Sequence, residues 1–244
     1  MLSHFLPPFI ASLFAATTTT IGIFIIHRFE DWARKYVVYF TSFAAGVLVS
    51  VSFLHIVPES FSMNRISAPA CLLIGYLFMH FLNRFITRYV CDTPLNRGYT
   101  FGLIPMFGIG FHSFIDGIIY AITFAVSPFM GILAVSGMIL HEFPEGVVTY
   151  VLLVRSGFKS KTSFLLAFLA AALTTPLGVI VASPFLQHIS DTTLGILLSL
   201  SAGCLVYVGA THLLPHVERE EQKYSVIALV TGVIVAVLIV STKV

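Results

Sequence analysis

His112-Ser113-Phe114-Ile115-Asp116-Gly117 and His141-Glu142-Phe143-Pro144-Glu145-Gly146 repeat one pattern, His-x-Phe-x-acid-Gly, at an offset of 29 residues. In each copy a His and a carboxylate stand four residues apart inside an apolar run. On a helix, positions i and i+4 share a face, so each run offers one imidazole and one acid side by side. Imidazole nitrogen and carboxylate oxygen both bind first-row divalent ions, zinc with bonds of roughly 2.0–2.2 Å. Such a mixed set does not discriminate among zinc, iron, manganese and cobalt, while the absence of thiolate argues against copper(I). Ionisable groups in the middle of an apolar span are costly and mark a substrate or ion pathway. The two copies are therefore read as one metal site.

The elements that must position these groups are membrane helices. Of the 244 residues, 57% are hydrophobic and 10% charged, against about a quarter charged in a soluble domain. Apolar runs long enough to cross a bilayer give eight spans, at 6–26, 36–60, 66–86, 100–126, 129–154, 163–187, 192–216 and 224–241. The expected fold is an all-α integral membrane protein, with 1–244 forming a single eight-helix domain. The first run is read as a true span, since nothing basic precedes it and no small-residue cleavage site follows. Cys71, Cys91 and Cys204 show no C-x-x-C spacing, so neither a disulfide framework nor a zinc knuckle is indicated. No basic stretch lies outside the loops next to the spans, which leaves nucleic-acid binding without support.

Charge sets the orientation. Eleven of the thirteen Lys and Arg fall in connections 1–2, 3–4, 5–6 and 7–8, and only Arg65 and Lys243 lie on the opposite side. Basic residues favour cytoplasmic loops, so both termini are expected outside the cytoplasm. The chain also repeats itself. Ala45-Gly46 with His55-Ile56-Val57-Pro58-Glu59 in span 2 returns as Ala202-Gly203 with His212-Leu213-Leu214-Pro215-His216 in span 7, at an offset of 157. Spans 2 and 7 cross in opposite directions, as do spans 4 and 5. That is the signature of an inverted repeat, common in secondary transporters whose site lies near the midplane.

The connection Ser127-Pro128-Phe129 is short, so spans 4 and 5 are expected to form an antiparallel hairpin. Asp116 and His141 are equally far from its turn, and so are His112 and Glu145. Two layers follow, about 19–25 Å from the turn at ~1.5 Å per residue. Pro144 removes the hydrogen bond its amide would make to the Leu140 carbonyl, freeing or kinking the backbone beside His141. Gly117 and Gly146, each directly after an acid, allow another helix to come close.

HSFIDG, HEFPEG, the eight spans and the His-x-x-Pro segments together resemble the ZIP (Zrt/Irt-like) divalent-metal transporters, in their GufA-like branch. The resemblance covers essentially the whole chain. It implies uptake of Zn²⁺, and often Fe²⁺ or Mn²⁺, towards the cytoplasm, with Cd²⁺ a further candidate. It also implies an elevator-like motion of spans 1, 4, 5 and 6 past a scaffold of 2, 3, 7 and 8. His112, Asp116, His141 and Glu145 match the family's primary metal site, while Ser113 and Glu142 match positions that help a second, adjacent one. Asp116 stands where Glu is usual, Ile115 where Pro is usual, Ser113 where Asn is common and Thr175 where many relatives place Glu. Those departures put a binuclear centre in doubt and favour one site with Glu142 at its edge.

In this orientation His55 and Glu59 fall near the outer mouth, as a possible entrance, and His212 and His216 near the cytoplasmic mouth, as an exit. Thr17 to Thr20 either line a path or bond back to their own helix. An intramembrane zinc hydrolase is the competing reading, because His141-Glu142 opens like H-E-x-x-H. It fails at i+4, where Glu145 replaces the second His, and gives His112 to Asp116 no role. A passive channel or metal receptor could use the same ligands. The expected partners are the divalent ion and the lipid bilayer; the oligomeric state stays open, with a homodimer among the options. The compact length suits a bacterial cytoplasmic (plasma) membrane.

Overall fold

The computed structural model describes residues 2–90, 97–126, 128–188, 190–219 and 222–241, and among them there are helices and no strands. An apolar chain in a bilayer must satisfy its backbone polar groups within each segment, which selects helices. Helix α1 is Leu2–Arg28, followed by a short helix Glu30–Lys35. Next come α2 (37–63), α3 (68–90), α4 (Thr100–Val126), α5 (Pro128–Arg155), α6 (160–188), α7 (191–219) and α8 (Ser225–Ser241). Six of them, α1 to α4, α6 and α7, are long and apolar enough to cross a membrane. α5 is 28 residues long and α8 is 17.

Several helices are not uniform. α2 carries a π-helical turn at Ser52–Ile56 and α7 one at Tyr207–Leu213. At the repeat offset of 157 the first maps onto 209–213, inside the second. Such turns insert an extra residue and often mark functional sites; here they hold His55 and His212. α5, by contrast, stays helical across Pro144. The proline therefore costs a hydrogen bond beside His141 without breaking the helix.

Between apolar helices in lipid, attraction comes from close packing, and small residues let backbones approach. A Cβ on Gly46 would overlap the Leu229 carbonyl, pinning α2 to α8, and one on Gly203 would overlap that of Leu72, pinning α7 to α3. The second contact is the first displaced by 157, with the partners exchanged. Gly75 against Leu200 and Gly232 against Phe43 are related in the same way. A matching set joins the other helices. Gly146 abuts the Thr19 carbonyl and Gly117 that of Thr175, while Gly22 abuts Phe143 and Gly178 abuts Phe114. These tie α1 to α5 and α6 to α4. With Gly102 of α4 against Leu153 of α5, and Gly209 of α7 against Val49 of α2, these contacts link the helices into two groups, α1, α4, α5, α6 and α2, α3, α7, α8.

Gly46→Val and Gly203→Val should each push one helix off another by the same overlap. Overpacking of this kind costs about 1–3 kcal/mol or more. Thermal melting in detergent is expected to show similar losses for both, whereas Gly98→Ala, whose Cβ would meet only the Ser156 carbonyl at 3.5 Å, should melt as wild type. Gly46→Val with an unchanged melting temperature would contradict the packing.

Candidate metal centre

The helical period of α4 and α5 delivers His112, Asp116, His141 and Glu145 to one spot between the two helices. All four are buried, at 1–7% exposure, and one ligand atom from each lies within 4.8 Å of all the others. His141 Nε2 is 3.1 Å from Asp116 Oδ2, and His112 Nε2 is 3.5 Å from Glu145 Oε1. These are the two cross-hairpin layers expected from the spacing. Within each helix, His112 Nε2 lies 3.5 Å from Asp116 Oδ2 and His141 Nε2 lies 3.9 Å from Glu145 Oε1. Four ligands bonded tetrahedrally at 2.0–2.2 Å stand about 3.4 Å apart, so the observed separations bracket what one such ion needs.

The charge balance points the same way. No Lys or Arg occurs between Arg97 and Arg155, so the hairpin carries no fixed cation near its acids. Two carboxylates buried beside two imidazoles need compensating positive charge. A divalent cation would supply it. A small cavity beside the site is lined by Ala44, Val47, Ile109, His141, Val148 and Leu205, among others. Its lining includes Ile109 and Val148, one turn beyond His112 and Glu145 on α4 and α5.

The sequence model of the ZIP zinc transporters matches residues 8–96 and 91–240 of this chain. The chain belongs to the ZIP family. Zinc transporter ZIP13 of Pongo abelii is 25% identical over 222 residues, 81% of this chain and 65% of the relative. Zinc transporter SLC39A7 of Canis lupus familiaris is 30% identical over 141 residues, 52% of this chain and 29% of the relative. Zinc transporter ZupT of Chlorobium chlorochromatii is 22% identical over 260 residues and matches nearly end to end, 96% against 97%. The chain thus spans less than two thirds of the first two and almost all of the third. ZIP proteins are transporters and not enzymes, which removes the hydrolase reading of His141-Glu142.

In this ZIP chain Glu142 lies beside the four-ligand cluster and is itself fully buried. Its carboxylate accepts hydrogen bonds from the hydroxyls of Thr19 on α1 and, at 3.5 Å, of Thr175 on α6. Ser113 Oγ is 3.0 Å from the Ile109 carbonyl and 3.3 Å from Glu145 Oε2, so it steadies a carboxylate of the cluster. Thr17, Thr18, Thr19 and Thr20 all bond back to their own helix, the local alternative for such hydroxyls, and Thr19 alone among them also reaches an acid. The sequence reading named Thr17 to Thr20 as a set and did not tie Thr19 to Glu142. In the structure Thr19 and Thr175 make equivalent contacts with Gly146 and Gly117.

The outlying residues do not join the cluster. His55 Nε2 pairs with Glu59 Oε2 at 3.2 Å on α2, partly exposed. His212 Nε2 donates to the Phe101 carbonyl at 3.3 Å and stacks on the Phe101 ring. The other face of that end is held by Arg155, which lies over Phe101 and donates to Thr41 Oγ1 at 2.9 Å. The side chain of His216 lies outside the described residues. A further residue that sequence reasoning did not single out is Tyr120, one turn beyond Asp116. It is fully buried, and its hydroxyl has no hydrogen-bond partner among the described residues.

Purified protein is expected to bind about one Zn²⁺ per chain, a single four-ligand site, read by equilibrium dialysis with metal analysis. Glu145→Gln should weaken binding by more than about 100-fold and Glu142→Gln by less than about tenfold, the lower end for groups that touch no metal. Acidification should release the ion, since protons compete for the same nitrogens and oxygens. Two ions per chain, or equal losses in the two variants, would place Glu142 among the ligands.

Proposed function

We propose that this protein carries divalent metal ions, Zn²⁺ foremost, across a membrane towards the cytoplasm, with His112, Asp116, His141 and Glu145 as the transported ion's ligands. The observation that carries the reading is the convergence of those four buried ligand atoms within 4.8 Å inside an apolar bundle. The names of the relatives, all zinc transporters, support zinc as the ion. In this reading residues 1–244 form one eight-span unit, α5 and α8 crossing with the other six, and both termini lie outside the cytoplasm. The skew of basic residues towards alternate connections supports that orientation. His55 with Glu59 then stands at the outer mouth and His212 with His216 at the inner one. A bacterial plasma membrane is the proposed location, which the end-to-end match with a bacterial ZupT supports.

The mechanism proposed is elevator-like alternating access, α1, α4, α5 and α6 moving against α2, α3, α7 and α8. What supports it is the kind of packing found at each boundary. The backbone-to-backbone glycine contacts related by the two-fold lie inside the groups, where they hold helices together. Gly108 of α4, facing α7 across the divide, meets the Val208 side chain instead. Side chains can re-pack during a slide more readily than backbones in direct contact. The phenylalanine, arginine and histidine at the inner end join both groups, through Arg155 to Thr41 and His212 to Phe101.

Zn²⁺ uptake into proteoliposomes tests the function, wild type beside His141→Ala, with Mn²⁺, Fe²⁺ and Cd²⁺ as competitors. Saturable uptake in the wild type and its loss in the variant are expected, and the competition order ranks the metals. Uptake that survives removal of both His112 and His141 would overturn the site. Metal binding without passage would favour a receptor.

A further inference from the structure

The imidazole of His112 is held from both sides. Its Nε2 faces Asp116 Oδ2 and Glu145 Oε1 at 3.5 Å each, while its Nδ1 lies 2.9 Å from Ser201 Oγ. Ser201 is on α7, fully buried, and 89 residues away in sequence. For Nε2 to offer a lone pair to a metal, the neutral ring must carry its proton on Nδ1. Ser201 Oγ is placed to accept that proton. Hydrogen bonds of this type fix the tautomer and the ring plane of metal-bound histidines, and their loss lowers affinity.

Two further observations single out Ser201. The first is its helix. α4 belongs to one glycine-locked group and α7 to the other, so this bond crosses the divide. The second is its repeat partner. At the offset of 157 Ser201 corresponds to Ala44 on α2, which lines the cavity with His141. The two-fold that pairs His112 with His141 therefore gives a hydroxyl to one imidazole and a methyl to the other. The 3.1 Å contact of His141 with Asp116 is made by its Nε2, a ligand atom of the cluster itself, and not by the far side of the ring. His112 is oriented by the opposite group.

We propose that Ser201 is a positioning residue for His112, and that it makes tight metal binding depend on the register of α4 against α7. With the helices aligned as here, the hydroxyl holds Nδ1 and turns Nε2 towards the carboxylates. Displacement of α4 along α7 removes the acceptor and frees the ring to turn, which loosens one ligand of four. The inference rests on the metal-site reading above and adds a residue to it.

Zn²⁺ affinity measured in detergent by competition with a chromophoric chelator tests it. Ser201→Ala is expected to raise the Kd about tenfold, within the range for such partners, and Ser201→Thr, which returns the hydroxyl, to recover most of it. In His112→Ala, which keeps three ligands and binds more weakly, adding Ser201→Ala should change nothing further, because the two residues act as one unit. Wild-type affinity in Ser201→Ala, or an equal loss with and without His112, would overturn the proposal. Since binding is read apart from passage, a protein that shows this pattern but moves no ion would refute only transport. Wild-type affinity in His112→Ala would refute the site itself.

Discussion

The rest of the structure depends on one electrostatic constraint. Two carboxylates and two imidazoles are buried together in an apolar hairpin with no Lys or Arg between Arg97 and Arg155. Charge taken out of water is expensive unless it is paired and hydrogen-bonded, and in a membrane such groups mark ion pathways. The hydroxyls of Ser113 and Ser201 meet part of the hydrogen-bonding demand, but hydroxyls carry no net charge. A divalent cation would meet the remainder, and the four ligand atoms, within 4.8 Å of one another and 3.1–3.9 Å apart at their ion-pair contacts, could surround one of zinc's size.

Glu142 shows how the hydrogen-bonding part of that demand is met. It is as deeply buried as the cluster, yet threonines from α1 and α6 donate to its carboxylate from the two sides. Those threonines sit where Gly146 and Gly117 bring α1 and α6 against the hairpin. Close packing and polar satisfaction thus come from the same contacts. The helix group that holds the cluster is knitted by backbone contact and by one shared carboxylate.

Across the divide the contacts are of another kind. Ser201 to His112, Arg155 to Thr41 and His212 to Phe101 are single hydrogen bonds between side chains or from a side chain to a carbonyl. Each can break and reform without unpacking a helix. Contacts of this kind are what the proposed movement of one group against the other would need. The four ligands stand beside these contacts, so in the proposed mechanism such a movement would change what surrounds the ion.

The sequence by itself determined the hairpin and its two layers, because a period of 3.6 and a short turn leave no freedom in which residues face one another. It also determined the helical class, since apolar runs of this length in a bilayer have few other ways to pair their backbone. The repeat was legible in Ala-Gly and His-x-x-Pro, and the glycines of that repeat prove to be the residues at which the helices touch. What only the tertiary structure decided is which helix lies against which, and at what height. Thr19 reaches Glu142 across 123 residues, and Ser201 reaches His112 across 89. Threonine and serine in apolar helices ordinarily bond to their own backbone, so their types carry no mark of such a role. The partner of a hydroxyl is set by packing between distant segments, and only the folded bundle brings them within reach.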